Sequence, residues 1–533
     1  MKYALYGLPC AGKTTLMSEL DIPVIHGSAE LNKMASGKFS DLPEDEKNKL
    51  RIRYAEGLLT RKDSFISDGH YSFLDNVVFT DADAMLYDVF IYLYCKPEII
   101  CERIQSSTKN RRFADLLLEQ IRKWQDFEIE CLRDQCHKRN KDFYVIDNIS
   151  SAELQAFINK IENGFSSYTL AETIAERIKR IYPTPCELHI CDGDKTIIKQ
   201  DSFRTCTDNY VTHTFDGNFY TGFQSLRFGE ESLKLNYDLK KLDKIQLNDI
   251  IYKALYDKNY IVLSSGITEI WNRLGIHLGL KNVIADTLIS ADTKYFTVKL
   301  LQEQGYIITA YGDGKNDLYM LKQADQGYLY IGTYLSRSLM EADISGIGLL
   351  YDKSTFILEY ERGDIVNDIT ICKSTSGING SKLADAHFRL GRQLGEEIHK
   401  VIPNTNTAII VLERGGRFFG DGLYMGFGGM FYSYDAKKDK IPNIKNNITI
   451  IVDSVINTGK SIFDTIGKLK QINPDIEIFI AANVIQDRAL ELLQDYKAFA
   501  VRISTNSFVG RRQNMQKDGF GPDTADRLFN YIE

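Results

Sequence analysis

The chain has 533 residues, 44% of them hydrophobic and 26% charged. This is ordinary globular usage, so wholesale disorder, collagen and coiled coil are excluded, and at about 150 residues per domain roughly three to four domains are expected. The formal charge of −7 provides no global positive field for nucleic acid, so small anionic substrates held at local sites fit better. Nine cysteines, with Cys131/Cys136 and Cys186/Cys191 as the nearest pairs, suit neither a disulfide framework nor a zinc ribbon and suggest a reducing compartment. The start MKYALYGLPCAGK lacks the charged region, long apolar run and cleavage site of a signal peptide, and no stretch approaches the roughly 18 apolar residues of a membrane span. The expectation is a soluble, cytoplasmic protein with no membrane partner.

Three widely spaced apolar runs read as buried parallel strands feeding turns: residues 3–6 before GLPCAGKTT, 188–191 before DGDKT, and 448–452 before DSVINTGKS. The fold class expected is α/β, with three successive parallel-sheet domains at 1–165, 185–355 and 381–533. Charged or Gly/Ser/Asp-rich joins at 166–184 and 356–380 read as linkers. No fixed-period repeat is present, which sets aside solenoids.

In the first domain, Gly7-Leu-Pro-Cys-Ala-Gly12-Lys13-Thr14 fits G-x4-G-K-[ST] between a strand-like run and the helix-like TTLMSEL. Its glycines let backbone N–H groups face phosphates, with Thr15 next in the turn; Lys13 reaches the β/γ-phosphates of ATP and Thr14 ligates Mg²⁺. The segment SFISDGHYS with Asp68, the IYLYCKPEIICERI stretch with Arg103, and TKNRRF with Arg111 and Arg112 resemble the small nucleoside- and nucleotide-kinase branch of P-loop proteins. That resemblance implies that Asp68 positions metal or receives the acceptor proton and that Arg111 and Arg112 neutralise the transferring phosphoryl group. His70 reads as a packing neighbour; His26 to Glu30, Arg51 and Arg53 are acceptor contacts only if a pocket forms there.

In the second domain, an apolar strand ends in Asp192-Gly-Asp194-Lys-Thr196. Two carboxylates two residues apart can divide the work, one attacking phosphorus and the other protonating the leaving oxygen. With Ile261-Val-Leu-Ser264-Ser-Gly and Tyr311-Gly-Asp313-Gly-Lys-Asn-Asp317, this resembles the haloacid dehalogenase phosphatase superfamily, a Rossmann-like sheet with a cap. The resemblance implies Asp192 as nucleophile, Asp194 as general acid/base, Ser264 and Lys294 on the phosphoryl group, and Asp192, Asp194, Asp313 and Asp317 around Mg²⁺. Lys299 is the second choice for the lysine. A cap is expected at about 201–247, where the aromatic run DNYVTHTFDGNFYTGF shapes leaving-group choice.

In the third domain, the strand before Asp453 leads into Asn457-Thr458-Gly459-Lys460-Ser461, an acid for ribose hydroxyls followed by a phosphate-cradling turn. This resembles the phosphoribosyl-pyrophosphate (PRPP) loop of type I phosphoribosyltransferases. HFRLGRQLGEE, LERGG with Arg414, and GFGPDTADRLF with Gly521 and Asp526 resemble the uracil branch. Ser454 replaces a second acid, Lys460 a small residue, and Pro522 interrupts the last segment. The resemblance implies displacement of pyrophosphate by a nucleobase, with Arg414 and Mg²⁺ on the departing diphosphate, and self-association through this domain.

Together these sites point to a multifunctional nucleotide-metabolism enzyme acting on nucleotides and nucleobases, with ATP, PRPP and Mg²⁺. The alternative is a polynucleotide kinase-phosphatase-like end-healing enzyme with the third domain as a sensor, which requires a basic track near Arg51, Arg53, Arg111 and Arg112. A third reading makes nucleotide or PRPP occupancy a regulatory signal.

Overall fold

The computed structural model describes residues 1–35, 38–107, 110–332, 339, 342–350, 355–357, 363–436, 438–486, 489–490, 493, 496–504 and 523–531. The chain divides into two compact units, Met1–Leu329 with Gly346–Gly348, and Tyr330–Ser345 with Leu349–Glu533. Three α/β layers built on parallel sheets are present, two of them in the first unit.

The first sheet contains β1 (Lys2–Tyr6), β2 (Val24–His26), β3 (Phe65–Asp68), β6 (Val89–Tyr94) and β7 (Asp142–Asp147), with a small antiparallel ribbon of β4 (Ser72–Phe73) and β5 (Asn76–Val77) beside it. Its order is β2-β3-β1-β6-β7, all parallel. Strands β1, β6 and β7 are continuous apolar runs because helices cover both faces. Leu154, Phe157, Ile158 and Ile161 of helix Ser151–Glu162 pack on Tyr3, Leu5, Ile91 and Tyr144. On the other face Ile129, Leu132 and Cys136 of helix Leu118–Lys138 meet Ala4, Tyr6, Phe90 and Tyr92.

The second sheet contains β8 (Glu187–Cys191), β9 (Tyr260–Ser264), β10 (Val283–Ala285), β11 (Ile307–Gly312), β12 (Gln326–Tyr330) and β13 (Gly348–Leu350), in the order β10-β9-β8-β11-β12-β13. An isolated antiparallel bridge between Ile198 and Leu247 closes the insert that follows β8. Its helix Gly222–Ser232 lies against β7, the edge of the first sheet. There the Val145 N–H donates to Thr221 Oγ1 (3.2 Å), and the Val145 carbonyl accepts from Gln224 Nε2 (2.9 Å). Phe223 enters the first sheet's core, its ring 4.9 Å from that of Phe157.

A second contact fixes the same pair of layers. Asp292, at the start of helix Ala291–Glu303, accepts from His137 (2.7 Å) and faces Arg133 Nε at 3.4 Å, all three buried. Arg133 also donates to Tyr319 Oη (2.6 Å) and to the Phe219 carbonyl (2.7 Å), while the His137 ring stacks on Tyr295 at 3.8 Å. Two parallel sheets therefore share one unit rather than standing as separate domains. The charged, helix-like join expected as a linker at 166–184 forms helix Ser167–Ile181, capped by Ser166, and is packed along Ala291–Glu303 rather than free of the layers. Its buried residues Ala171, Ile174, Ala175 and Ile178 form one stripe at helical spacing, which averages to a polar segment when read without the period.

The third sheet contains β14 (Thr355–Ile357), β15 (Thr407–Leu412), β16 (Met430–Tyr434), β17 (Ile448–Ile456), β18 (Glu477–Gln486) and β19 (Lys497–Ser504), in the parallel order β14-β19-β18-β17-β15-β16. The expected linker 356–380 is part of this fold. Strand β14 pairs with β19, and Ile369, Ile371 and Cys372 of helix Gly363–Cys372 join the core with Leu383 and Leu390 of helix Gly380–His399. All nine cysteines are free thiols. Among the described residues no helix is long and apolar enough to cross a membrane.

Removing one partner of a buried charge group strands the others. Asp292→Ala, which leaves Arg133 and His137 without their carboxylate, is expected to cost about 3–5 kcal/mol. In calorimetry of the whole chain it should lower a single transition shared by the first two layers. Two independent transitions, only one of them shifted, would refute the shared unit.

Candidate active sites

The loop after β1 enters helix Lys13–Met17. Gly7 holds φ +151°, and a Cβ there would meet the Leu93 carbonyl at 2.7 Å, so the turn can pass beneath β6 only as glycine. Lys13 is buried, donating to the carbonyls of Gly7 and Leu8, and burial lowers its pKa to about 8 against the pull of Glu128 and Asp68. Thr14 and Thr15 are exposed. They line a cleft of about 2130 Å³ together with Gly12, Lys13, Asp68 and Arg103. Arg103 donates to the loop carbonyls of Cys10 (3.1 Å) and Ala11 (3.3 Å).

Asp68 ends β3, accepts the Gly27 N–H at 2.8 Å and lies 3.5 Å from His26 Nδ1. Arg112 lies over the rings of Phe73 and Phe113 at 5.1 and 4.6 Å. Arg111 begins a short turn, Arg111–Phe113, and its side chain is outside the described residues. The His70 ring lies against that of Phe73, tilted by 43° with centroids 4.8 Å apart. Arg51 is buried and held by Glu44 (2.6 Å) and Asn48, so it is engaged within the protein.

Glu128 was not singled out from sequence. It sits on the buried stripe of helix Leu118–Lys138, accepts from Ser72 (2.8 Å) and Tyr92 (2.9 Å), and is pushed up by burial. The signal was an acid at a core position of an amphipathic stripe running through Ile121, Trp124 and Leu132.

In the second layer, neighbouring strands β9, β8 and β11 deliver Ser264, Asp192 and Asp313 to the carboxyl end of the sheet, where ligands of open α/β sheets bind. Lys294 is fully buried, donating to Asp192 and to Asp317 Oδ1 (2.7 Å). The carboxylates of Asp192, Asp313 and Asp317 have ligand oxygens within 4.8 Å of one another. Such a set of hard oxygen donors beside one lysine fits Mg²⁺. Asp194 lies outside that cluster: its carboxylate accepts from the Ser202 amide (2.5 Å) and from Trp271 Nε1 (3.4 Å). Burial pushes Asp192 up to about 6, with Asp317 adding repulsion, and pushes Asp194 up to about 7, with Asp201 adding repulsion. Lys299 turns away, donating to the His137 carbonyl (2.9 Å) and Asn140 (2.7 Å). Ser264 Oγ accepts the Gly266 N–H at 3.0 Å, shaping the turn after β9.

In the second unit, adjacent strands β15 and β17 bring the 413–416 turn beside Asp453. A Cβ on Gly416 would meet the Leu412 carbonyl at 2.6 Å and Asp453 Cα at 3.2 Å, so glycine permits this approach. Arg414 pairs with Asp526 at 3.2 Å and lies over the Tyr531 ring at 5.6 Å. Burial pushes Asp453 up to about 7, although the Ser454 amide donates to it. Ser454 Oγ bonds the buried His387 at 2.8 Å. Residues Asn457 and Thr458 lead to Gly459, which caps helix Lys460–Ile472 where Lys460 and Ser461 are exposed. Arg527 is buried and donates to carbonyls including Cys372 (3.2 Å), Lys373 (3.0 Å) and Ile378 (2.9 Å), a structural clamp. Gly521 and Pro522 lie outside the described residues.

Residues 6–122 match the family described as an AAA domain. No curated protein matches the chain. The chain is similar to a shikimate kinase from Acinetobacter baumannii in complex with shikimate, at 17% identity over 31% of this chain and 95% of that one, TM-score 0.25. It is similar to a HAD family hydrolase from Salmonella enterica serovar Typhi, at 17% identity over 32% and 69%, TM-score 0.20. It is also similar to a Helicobacter pylori xanthine-guanine-hypoxanthine phosphoribosyltransferase, at 20% identity over 22% and 85%, TM-score 0.19.

Folding raises the Asp194 pKa from its ordinary value near 4, so the stability tied to its neutral form is present below about pH 4 and is lost as pH rises through about 7. Asp194→Asn should therefore stabilise the first unit by on the order of 1–2 kcal/mol at pH 8 and leave it unchanged near pH 4. Urea unfolding followed by fluorescence of the two tryptophans, Trp124 and Trp271, reads this directly, since both lie in that unit. An equal effect at both pH values would sink the account.

Proposed function

We propose that the chain is a multifunctional enzyme of nucleotide metabolism, joining ATP-dependent phosphorylation, phosphate-ester hydrolysis and PRPP-dependent transfer to a pyrimidine-like base. The observation that carries this reading is the group of buried Asp192, Lys294 and Asp317 with half-buried Asp313, in one unit with an intact G-x4-G-K-T loop. Carboxylates are gathered at such cost where charge must be managed during phosphoryl transfer.

In the phosphatase reaction Asp192 attacks phosphorus to give an aspartyl phosphate, and Asp194 protonates the leaving oxygen and then takes a proton from the water that hydrolyses the intermediate. Lys294 holds Asp192 and the phosphoryl oxygens. Asp192, Asp313 and Asp317 would hold Mg²⁺, which when bound would supply charge neutralisation on those oxygens. In the kinase cleft the loop amides and Lys13 take the phosphates of ATP, Thr14 faces the metal, and Asp68 orients the acceptor hydroxyl. In the third layer Asp453 accepts ribose hydroxyls, the 457–461 turn takes the 5′-phosphate, and Arg414 stabilises departing pyrophosphate. Engagement of Arg51 by Glu44 removes one member of the basic track that an end-healing enzyme would need.

The test is incubation with Mg²⁺, ATP, PRPP and a panel of nucleobases, beside an oligonucleotide carrying 5′-hydroxyl and 3′-phosphate ends, with products followed by mass spectrometry. Base-dependent pyrophosphate release is the expected result; end-phosphate exchange without base turnover would overturn it in favour of end healing. Lys13→Ala, Asp192→Asn and Asp453→Asn should each reduce only their own reaction, by about 10²-fold or more. Hydrolysis of p-nitrophenyl phosphate should rise as pH climbs through about 6, where Asp192 ionises, and fall above about 7, where Asp194 loses its proton. Asp194→Asn should remove the upper limb of that profile, and a profile flat from pH 5 to 8 would contradict both roles.

A further inference from the structure

The insert 201–247 follows β8 in sequence but reaches into the cleft of the first sheet. His213 and Asp216 line that cleft together with Gly12 to Thr15 of the loop and Asp147 to Ser151 at the end of β7. The two side chains are paired, Nδ1 to Oδ2 at 2.9 Å, yet 81% and 69% exposed. Asp216 lies close enough to oppose the charge of Asp147, whose carboxyl is raised chiefly by burial.

The segment is braced from behind. Thr212 and Thr214, on either side of His213, both donate to Glu231 of helix Gly222–Ser232, at 2.7 and 2.8 Å. That helix is fixed to the first layer by Thr221, Gln224 and Phe223, and by the Lys160–Glu230 pair at 2.8 Å. At its far end the segment reaches the phosphatase centre. The Tyr220 carbonyl accepts the N–H of Ala291, which opens the helix carrying Lys294, at 3.0 Å. A pair of cleft-facing polar side chains on so braced a loop is built to be met by something in the cleft.

The geometry points to His213 and Asp216 as part of the donor-nucleotide site of the kinase cleft, contributed by the phosphatase insert and contacting the ribose and base of a nucleoside triphosphate. The chemistry suits that part of the ligand: a carboxylate accepts from ribose hydroxyls and a planar imidazole lies against a base, whereas the phosphates belong to the loop amides and Lys13. Nucleotide occupancy then holds segment 212–220, whose far end is bonded to the start of helix Ala291–Glu303. This inference rests on the P-loop kinase reading of the cleft.

The test is isothermal titration of the full chain with Mg²⁺ and either AMP-PNP or inorganic tripolyphosphate, comparing wild type with the double variant His213→Ala/Asp216→Ala. Both side chains are largely exposed, so folding is not at stake. The expected result is a 5- to 10-fold weaker Kd for AMP-PNP with the tripolyphosphate Kd unchanged, roughly the effect of losing one or two hydrogen bonds. Slower amide hydrogen exchange in 212–220 of the wild type when AMP-PNP binds is expected beside it. Equal AMP-PNP affinity in the two proteins, equal weakening of both ligands, or unchanged exchange in 212–220 would each overturn the inference while leaving the kinase reading intact. Absence of AMP-PNP binding to the wild type would overturn both.

Discussion

Strand β7 ends the first sheet, and an uncovered edge leaves backbone N–H and C=O groups without partners, at about 1–3 kcal/mol for each buried one. Here two side chains of a different layer, Thr221 and Gln224, satisfy both groups of Val145. Everything else in the first unit follows from that attachment. Because the insert helix is held at the edge, Phe223 can enter the core, the loop before the helix can reach the cleft of the first sheet, and Asp292 can sit where Arg133 and His137 meet it. The insert is the seam of the unit rather than an appendage of the second sheet.

All three layers place their candidate site residues at or near the carboxyl ends of parallel strands: β1 for Lys13, β8 and β11 for Asp192 and Asp313, β15 and β17 for Arg414 and Asp453. The shared position gives a shared electrostatic condition. Acids there are partly stripped of water, which raises Asp192, Asp194 and Asp453 toward neutrality, and each site compensates differently. The second layer uses the buried cation Lys294, while among the described residues Asp453 is offset by the backbone amides of Ser454 and Val455.

What could be read from the sequence was what is contiguous in it. A glycine-lysine turn, a pair of aspartates after an apolar run and an acid before a Thr-Gly turn each declare a strand end, because the chemistry needs those residues within a few positions of one another. Lys294 was reachable because it opens a helix that precedes the Asp313 strand. Glu128, Arg133 and the His213/Asp216 pair were not legible, since their meaning lies in partners distant in the chain, such as Tyr319, 186 residues from Arg133, and Ser72, 56 from Glu128. The segments 166–184 and 356–380 were misjudged for another reason. A helix buried along one stripe, and an edge strand of three residues, both look polar when their composition is averaged.

The placement of β14 and Arg527 bears on how this chain can be divided. A fragment cut at residue 381 would discard the strand that closes the β19 edge of the third sheet. It would also remove the carbonyls of Ile371, Cys372, Lys373 and Ile378 that hold the guanidinium of Arg527. The result would be a buried cation without acceptors next to an unpaired sheet edge, a combination that favours aggregation over refolding. The natural cut lies upstream of Thr355, so the shortest self-sufficient version of this region is longer than its recognisable motifs.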